Sequence, residues 1–173
     1  MDATRAITDR DGRSYRLRPI RPDDARPLQR AYARMDLRDR RARLFAPIPA
    51  LSDAFAEQFC TIDERREFCF VLESDDEPGE LLGGCRLMGD EAARVGEYSV
   101  SLRSDMKGRG LGRHLMEILL AEADARGFET VYGTILADNA AMIALVRELG
   151  FKVKRDPDDW QLVQATRERP AAG

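Results

Sequence analysis

The strongest constraint on the fold is a glycine-spaced turn, Gly108-Arg109-Gly110-Leu111-Gly112, set between two segments of different period. Before it, Tyr98, Val100 and Leu102 alternate with Glu97, Ser99 and Ser101; after it, Leu111, Leu115, Ile118 and Leu119 fall at helical spacing. A period of two becomes one of 3.6, so the turn must carry a strand into a helix. Glycines at alternate positions let backbone N–H groups approach an anion with no Cβ in the way, and a helix N-terminus adds about half a positive charge. A pyrophosphate fits this description. The Walker A turn needs a Gly-Lys-Ser/Thr ending, and the dinucleotide fingerprint needs G-x-G-x-x-G followed by an acidic residue. Neither is present, which leaves open a phosphate site of another kind or a tight structural turn.

The remaining punctuation predicts strands and helices on both sides of this turn. Tyr15 to Ile20 reads as a half-buried strand, with Asp23 or Asp24 capping a helix that runs to about Met35. A second helix is expected from Leu37 to about Phe45, with Pro47 and Pro49 separating it from a third that Ser52 opens. From Glu67 the period is strand-like: Phe68–Leu72, a turn at Asp75–Gly79, Leu81–Met88, then Val95–Arg103. The helix after the glycine turn stops at Gly127, and Glu129–Leu136 is rich in β-formers. Asp138 or Asn139 caps a helix that ends at Gly150, and strands at Phe151–Val153 and Trp160–Val163 follow. Strands alternating with helices after Glu67 indicate an α/β or α+β sheet. One domain over residues 15–166 is expected, with an N-terminal extension at 1–14 and a flexible tail at 167–173. A chain of 173 residues buries about 70% of its unfolded surface without staples.

Composition narrows the chemistry. The three cysteines Cys60, Cys69 and Cys85 lack paired metal or redox spacing and read as reduced core residues. His114 is the sole histidine, so neither a histidine metal site nor a Ser-His-Asp triad with a spare imidazole is easily built. Carboxylates, hydroxyls or thiols are left to do any catalysis. A net charge of −3 with interleaved signs gives no nucleic-acid stripe, and no apolar run approaches a membrane span of roughly 18 residues. The expectation is a cytoplasmic protein with no nucleic-acid or membrane partner. One basic cluster, Arg34 to Arg43, sets five arginines beside two aspartates. It reads either as a solvated helix face or as a contact for a substrate or a ligand phosphate.

The run Lys107 to Gly112, with Leu115 and Met116 behind it, resembles the GNAT acetyltransferase motif Arg/Gln-x-x-Gly-x-Gly/Ala, with Lys107 in the Arg/Gln place. Asn139 to Phe151 resembles that superfamily's ending, Asn-x-x-Ala-x-x-Leu-Tyr-x-x-Leu-Gly-Phe. The likeness spans Tyr15 to about Val163, and Thr8 to Gly12 with Tyr15 to Asp24 is similar to the acetyltransferase domain of bacterial Pat-type protein lysine acetyltransferases. It implies a mixed, mostly antiparallel sheet of six to seven strands flanked by about four or five helices. It also implies acetyl-CoA as cosubstrate, no metal, and direct transfer to an amine. The favoured acceptor is then a protein lysine; a small-molecule amine, or a CoA-binding sensor without chemistry, is the alternative, and a homodimer is compatible with any of them. Val100, Ser101 and Leu102 would lie along the pantetheine arm. Lys107, Gly108, Arg109, Gly110, Leu111, Gly112 and Arg113 would form the pyrophosphate loop, and Asn139 would touch the CoA arm. The Pat-type pattern places its catalytic glutamate at Glu97, the expected general base. Val146 stands where many relatives have a proton-donating tyrosine and Thr134 where some have a glutamate; Tyr98 and Tyr132 are the nearest tyrosines.

Overall fold

The computed structural model describes residues 4–45 and 48–171. Eight strands form one sheet: β1 (Arg5–Thr8), β2 (Ser14–Pro19), β3 (Glu67–Glu73), β4 (Gly83–Gly89), β5 (Val95–Leu102), β6 (Thr130–Leu136), β7 (Lys152–Arg155) and β8 (Leu162–Glu168), in the order β1-β2-β3-β4-β5-β6-β8-β7. Every neighbouring pair is antiparallel except β5–β6, which is parallel. The crossover between them is the glycine turn and the helix α4 (Leu111–Arg126), the kind of long connection a parallel pair requires.

Alternation along the strands divides the side chains between two layers. Phe68, Phe70 and Leu72 of β3 face a core shared with Leu111, Leu115, Met116 and Leu119 of α4 and Val146 of α5 (Ala140–Glu148). Cys69 and Val71 point the other way, with Ile20, Cys60 and Leu81, under α1 (Ala25–Ala33) and α3 (Asp53–Cys60). Between α1 and α3 lies α2 (Leu37–Leu44), whose eight residues include five charged side chains plus Leu37, 74% exposed. So weakly apolar a helix has little core of its own, and its polar contacts decide where it sits.

The sheet extends beyond the expected domain at both ends. Residues 5–8, assigned from sequence to an extension, pair with β2 and bury Ile7; four residues are too few to show a period. At the other end β8 continues to Glu168, two residues beyond the expected end of the domain, and the Arg169 N–H donates to the Glu129 carbonyl at 2.7 Å. Three residues from the expected tail, 167–169, are thus held by the sheet. The sheet has eight strands instead of six or seven, while the five α-helices agree with expectation.

Of the expected caps, Ser52 accepts from the Phe55 N–H at 3.1 Å and Asn139 from the Met142 N–H at 3.3 Å. Asp24 does something else. Its carboxylate takes the Arg21 N–H at 2.7 Å and both terminal nitrogens of the Arg18 guanidinium at 2.8 and 2.9 Å, so it locks β2 to the turn before α1 and does not cap the helix.

Candidate active site

The parallel ladder between β5 and β6 is short. It runs through Val95↔Thr130, Gly96↔Val131 and Glu97↔Tyr132 and then stops, although both strands continue. On its other edge β5 stays paired with β4 through Leu102. The Val95 carbonyl accepts from the Asp90 N–H, and the Arg103 N–H donates to the Leu82 carbonyl, each at 2.9 Å on the β4 side. Backbone direction alternates in an antiparallel ladder, so Tyr98, Val100 and Leu102 turn their N–H and C=O groups toward the opened gap. The result is a cleft with a row of backbone donors and acceptors along one wall. Thr134, Ile135 and Leu136 of β6 form the facing wall, and Asp39 and Ala42 of α2 lie along the cleft.

The glycine turn stands at the open end. Gly108 and Gly110 adopt φ of +76° and +83°, values that favour glycine, and Gly110 is the N-cap of α4. Gly112, already inside the helix, lines the cleft. A Cβ added there would meet only the Leu102 Cδ1, at 3.9 Å, so the fold leaves space above this residue. The first N–H groups of a helix have no intrahelical partner, and Gly112, in the first turn of α4, brings one of them to the cleft wall. Leu111 is fully buried, so only its backbone reaches the site.

Side chains of the loop are committed elsewhere. The Lys107 ammonium pairs with the Asp39 carboxylate, which also accepts from the Ser104 hydroxyl at 2.6 Å. This contact straps α2 to the loop, a link that sequence separation hid. Arg109 donates to the Tyr15 hydroxyl at 3.2 Å and lies 3.8 Å from Asp9, while the Arg10 N–H donates to the Arg109 carbonyl at 3.1 Å. The N-terminal hairpin therefore braces the loop. Arg113 pairs with Glu148 on α5, and Asn139, besides capping α5, lines the cleft opposite Lys107.

Glu97 occupies the last paired position, at the vertex where the strands part. With Ser99 it lies opposite in parity to Tyr98 and Val100, on the side of α3. The structure brings Glu97, Ser99, Arg43, Phe55, Phe59 and Arg86 around one cavity, and Glu97, Tyr98, Ser99 and Arg43 line the β5–β6 cleft as well. The two hollows thus adjoin across β5, with Glu97 between them. Arg43 was noticed from sequence only as part of a basic cluster, and Phe55 and Phe59 only as helix periodicity.

The other nucleophiles and acids are poorly disposed. Burial pushes the Cys60 thiol up to about 11 and the Cys69 thiol up to about 12, and raises Cys85 too, so all three are protonated at neutral pH. Tyr98 packs on Gly133 and edge-on against Phe151, with ring centroids 5.5 Å apart. Its hydroxyl is buried with no hydrogen-bond partner, and burial raises its pKa. Tyr132 is raised as well, by burial and then by the charge of Glu97. Val146 is fully buried in the core.

A strand pair that opens past a carboxylate, with a glycine-capped helix at its mouth, gives a groove of unpaired backbone groups that leads to a place for an anion. Residues 31–151 match the Acetyltransferase (GNAT) family, and the chain belongs to it. An acetyltransferase of Pseudomonas aeruginosa is 32% identical over 151 residues, covering 86% of this chain and 81% of that one. The L-methionine sulfoximine/L-methionine sulfone acetyltransferase of Pseudomonas paraeruginosa is 38% identical over 88 residues, 48% of this chain and 51% of that one. Among solved structures, the GNAT domain of S. lividans PAT superposes with a TM-score of 0.86 at 25% identity, covering 95% of this chain and 96% of that one. The protein is an N-acetyltransferase of the GNAT type. No helix among the described residues is long and apolar enough to cross a membrane.

Proposed function

We propose that this enzyme transfers acetyl from acetyl-CoA directly to a primary amine, with the cosubstrate in the β5–β6 cleft and Glu97 as the base. The observation that carries this reading is the end of the β5–β6 ladder at Glu97↔Tyr132, just where the glycine turn leaves room for an anion. The backbone groups of Val100 and Leu102, with Ser101 between them, suit the amides of a pantetheine arm. The N–H groups of Gly108 to Arg113 suit its pyrophosphate. Lys107, held by Asp39, would contribute its backbone there, and Asn139 would meet the arm from the far wall. The open space above Gly112 is what a ligand in this cleft would fill.

When bound, acetyl-CoA supplies an activated carbonyl: the amine nitrogen bonds to its carbon, the C–S bond breaks, and the electron pair leaves on sulfur. The chain's own task is the protons. A lysine-like amine with pKa about 10.4 is almost wholly protonated at pH 7, so a free lone pair costs about 4 to 5 kcal/mol without a base. Glu97 accepts that proton, directly or through water, and passes it to solvent. The second proton lost from nitrogen ends on the thiolate, whose reference pKa near 8.5 lets it depart without a dedicated acid. A buried Val146 and an inaccessible Tyr98 hydroxyl agree with this economy of groups.

For the acceptor, the geometry favours a small amine that enters the cavity beside Glu97. A protein lysine is the second reading, and the likeness to the PAT domain favours it. Thiol release from acetyl-CoA, measured against a panel of small amines and lysine-bearing peptides, tests both. Turnover with at least one class is expected; tight acetyl-CoA binding with no turnover on any amine would make the protein a sensor.

A further inference from the structure

Arg43, in the last turn of α2, lines the cleft, the cavity beside Glu97 and the apolar hollow under α1 and α3. Among the described residues its guanidinium has no hydrogen-bond or ion-pair partner; its nearest assigned contact is the face of Phe59, 5.5 Å from the ring centroid. The same ring carries Arg86 at 4.5 Å. Arg86 is partly satisfied, giving one nitrogen to Glu67 at 2.6 Å and another to the Phe59 carbonyl at 3.0 Å, yet its Nε is buried with no partner. Two guanidinium groups therefore flank one aromatic ring with a single bonded carboxylate between them. Arg43 is half-buried with no counter-charge bonded to it, and desolvation pulls it below its ordinary guanidinium value. Glu97 is the carboxylate whose charge bears most on Arg43, and no ion pair joins the two among the described residues.

A cavity lined by the Glu97 carboxylate, the unpaired Arg43 guanidinium and the unpartnered Arg86 Nε is complementary to a ligand carrying both charges. A ligand that brings a cation alone, as a lysine side chain does, would leave Arg43 without a counter-charge. Arginine presents a planar fork that receives a carboxylate with two parallel bonds. We propose that the acceptor of this enzyme is a free amino acid or close analogue, its carboxylate received by Arg43 with the Arg86 Nε–H in support, and its amine turned to Glu97. This rests on the acetyl-transfer reading above and narrows its acceptor to one chemical class.

The test uses matched acceptors at saturating acetyl-CoA: free methionine, leucine and phenylalanine, their amides, and a lysine peptide capped at both ends, with wild type, Arg43→Gln and Arg43→Lys. Melting temperatures confirm that each variant is folded. The wild type should prefer the free acids over the amides by at least about thirtyfold in kcat/KM, the lower end of what a desolvated charge pair is worth. Arg43→Gln should raise KM for the free acids by a similar factor, with kcat and the KM for acetyl-CoA little changed, and should lose the preference over amides. Arg43→Lys should recover part of it, since the charge remains without the fork. Equal use of acids and amides, a preference for the capped lysine peptide, or an Arg43→Gln defect confined to acetyl-CoA would overturn the proposal while leaving acetyl transfer intact. Absence of turnover with every amine would overturn the acetyl-transfer reading and this one with it.

Discussion

Two arginines near β5 meet opposite circumstances. Arg103, just beyond its C-terminal end, has a fully buried side chain and is saturated: Glu77 takes two of its nitrogens at 2.7 and 2.9 Å, and Asp105 takes Nε and a terminal nitrogen, both at 2.7 Å. Arg34 adds a second cation to both carboxylates, at 3.0 Å from Glu77 and 3.6 Å from Asp105. Arg43, at the end of α2, has no such partners among the described residues and lines hollows. The difference separates scaffold from site. Where the chain needs rigidity it pairs its buried charges completely, and the Arg103 knot fixes the segment that delivers the glycine turn. Where it needs a ligand it leaves donors unpaired.

The comparison breaks most visibly in stability. Arg103→Gln should cost about 3 kcal/mol, the low end for a broken buried pair because both carboxylates still reach water, and should lower Tm by roughly 6–12 °C in a chain of this size. Arg43→Gln should leave Tm little changed, since it removes a half-buried charge that no ion pair holds among the described residues. Equal losses in the two variants, read by thermal melting, would erase the distinction. The acid limb sharpens it. Hydrogen bonds from Arg103 hold the Glu77 and Asp105 carboxyls below their ordinary values of 4.5 and 3.8. Such depressed groups stabilise the fold at any pH above those values, and the stabilisation fades as pH falls through the lowered ones. The wild type should therefore lose Tm below about pH 4.5, and Arg103→Gln should lose less of it over the same interval.

How far these regions were legible in the sequence follows the same division. The strand, turn and helix around Gly108–Gly112 are local, and their periods and glycines could be read directly. Glu97 was reached by a family likeness and strand parity. The meaning of Arg43 could not be read, because an arginine on a polar helix looks the same whether or not distant residues pair it. Arg34, nine positions earlier in the same basic cluster, finds its carboxylates on Glu77 and Asp105. Asp39 shows the same limit, since its partners Ser104 and Lys107 lie more than sixty residues away. β1 escaped because four alternating residues are too few to outweigh the charged chain around them.

Chemistry gives the next largest effect. Glu97→Gln keeps the shape of the vertex and removes the base, so turnover should fall by about a hundredfold, roughly 2.7 kcal/mol of barrier, with acetyl-CoA affinity nearly unchanged. Retention of more than about a third of wild-type turnover, far short of the tenfold that 1.4 kcal/mol represents, would remove Glu97 from that role.

The smallest effect bears on the claim from which the rest follows, that the opened strand pair and glycine turn hold acetyl-CoA. Gly112 is the sharpest probe, because the protein itself leaves its Cβ position open, whereas Gly108 and Gly110 also serve positive φ. Calorimetric titration of acetyl-CoA into wild type and Gly112→Val, with Tm confirming that both are folded, reads the site and not the scaffold. One site should be seen in the wild type, with affinity at least about tenfold weaker in the variant, about 1.4 kcal/mol, as the new side chain stands where the pyrophosphate must approach. Unchanged affinity in a folded Gly112→Val protein would place acetyl-CoA somewhere other than this cleft.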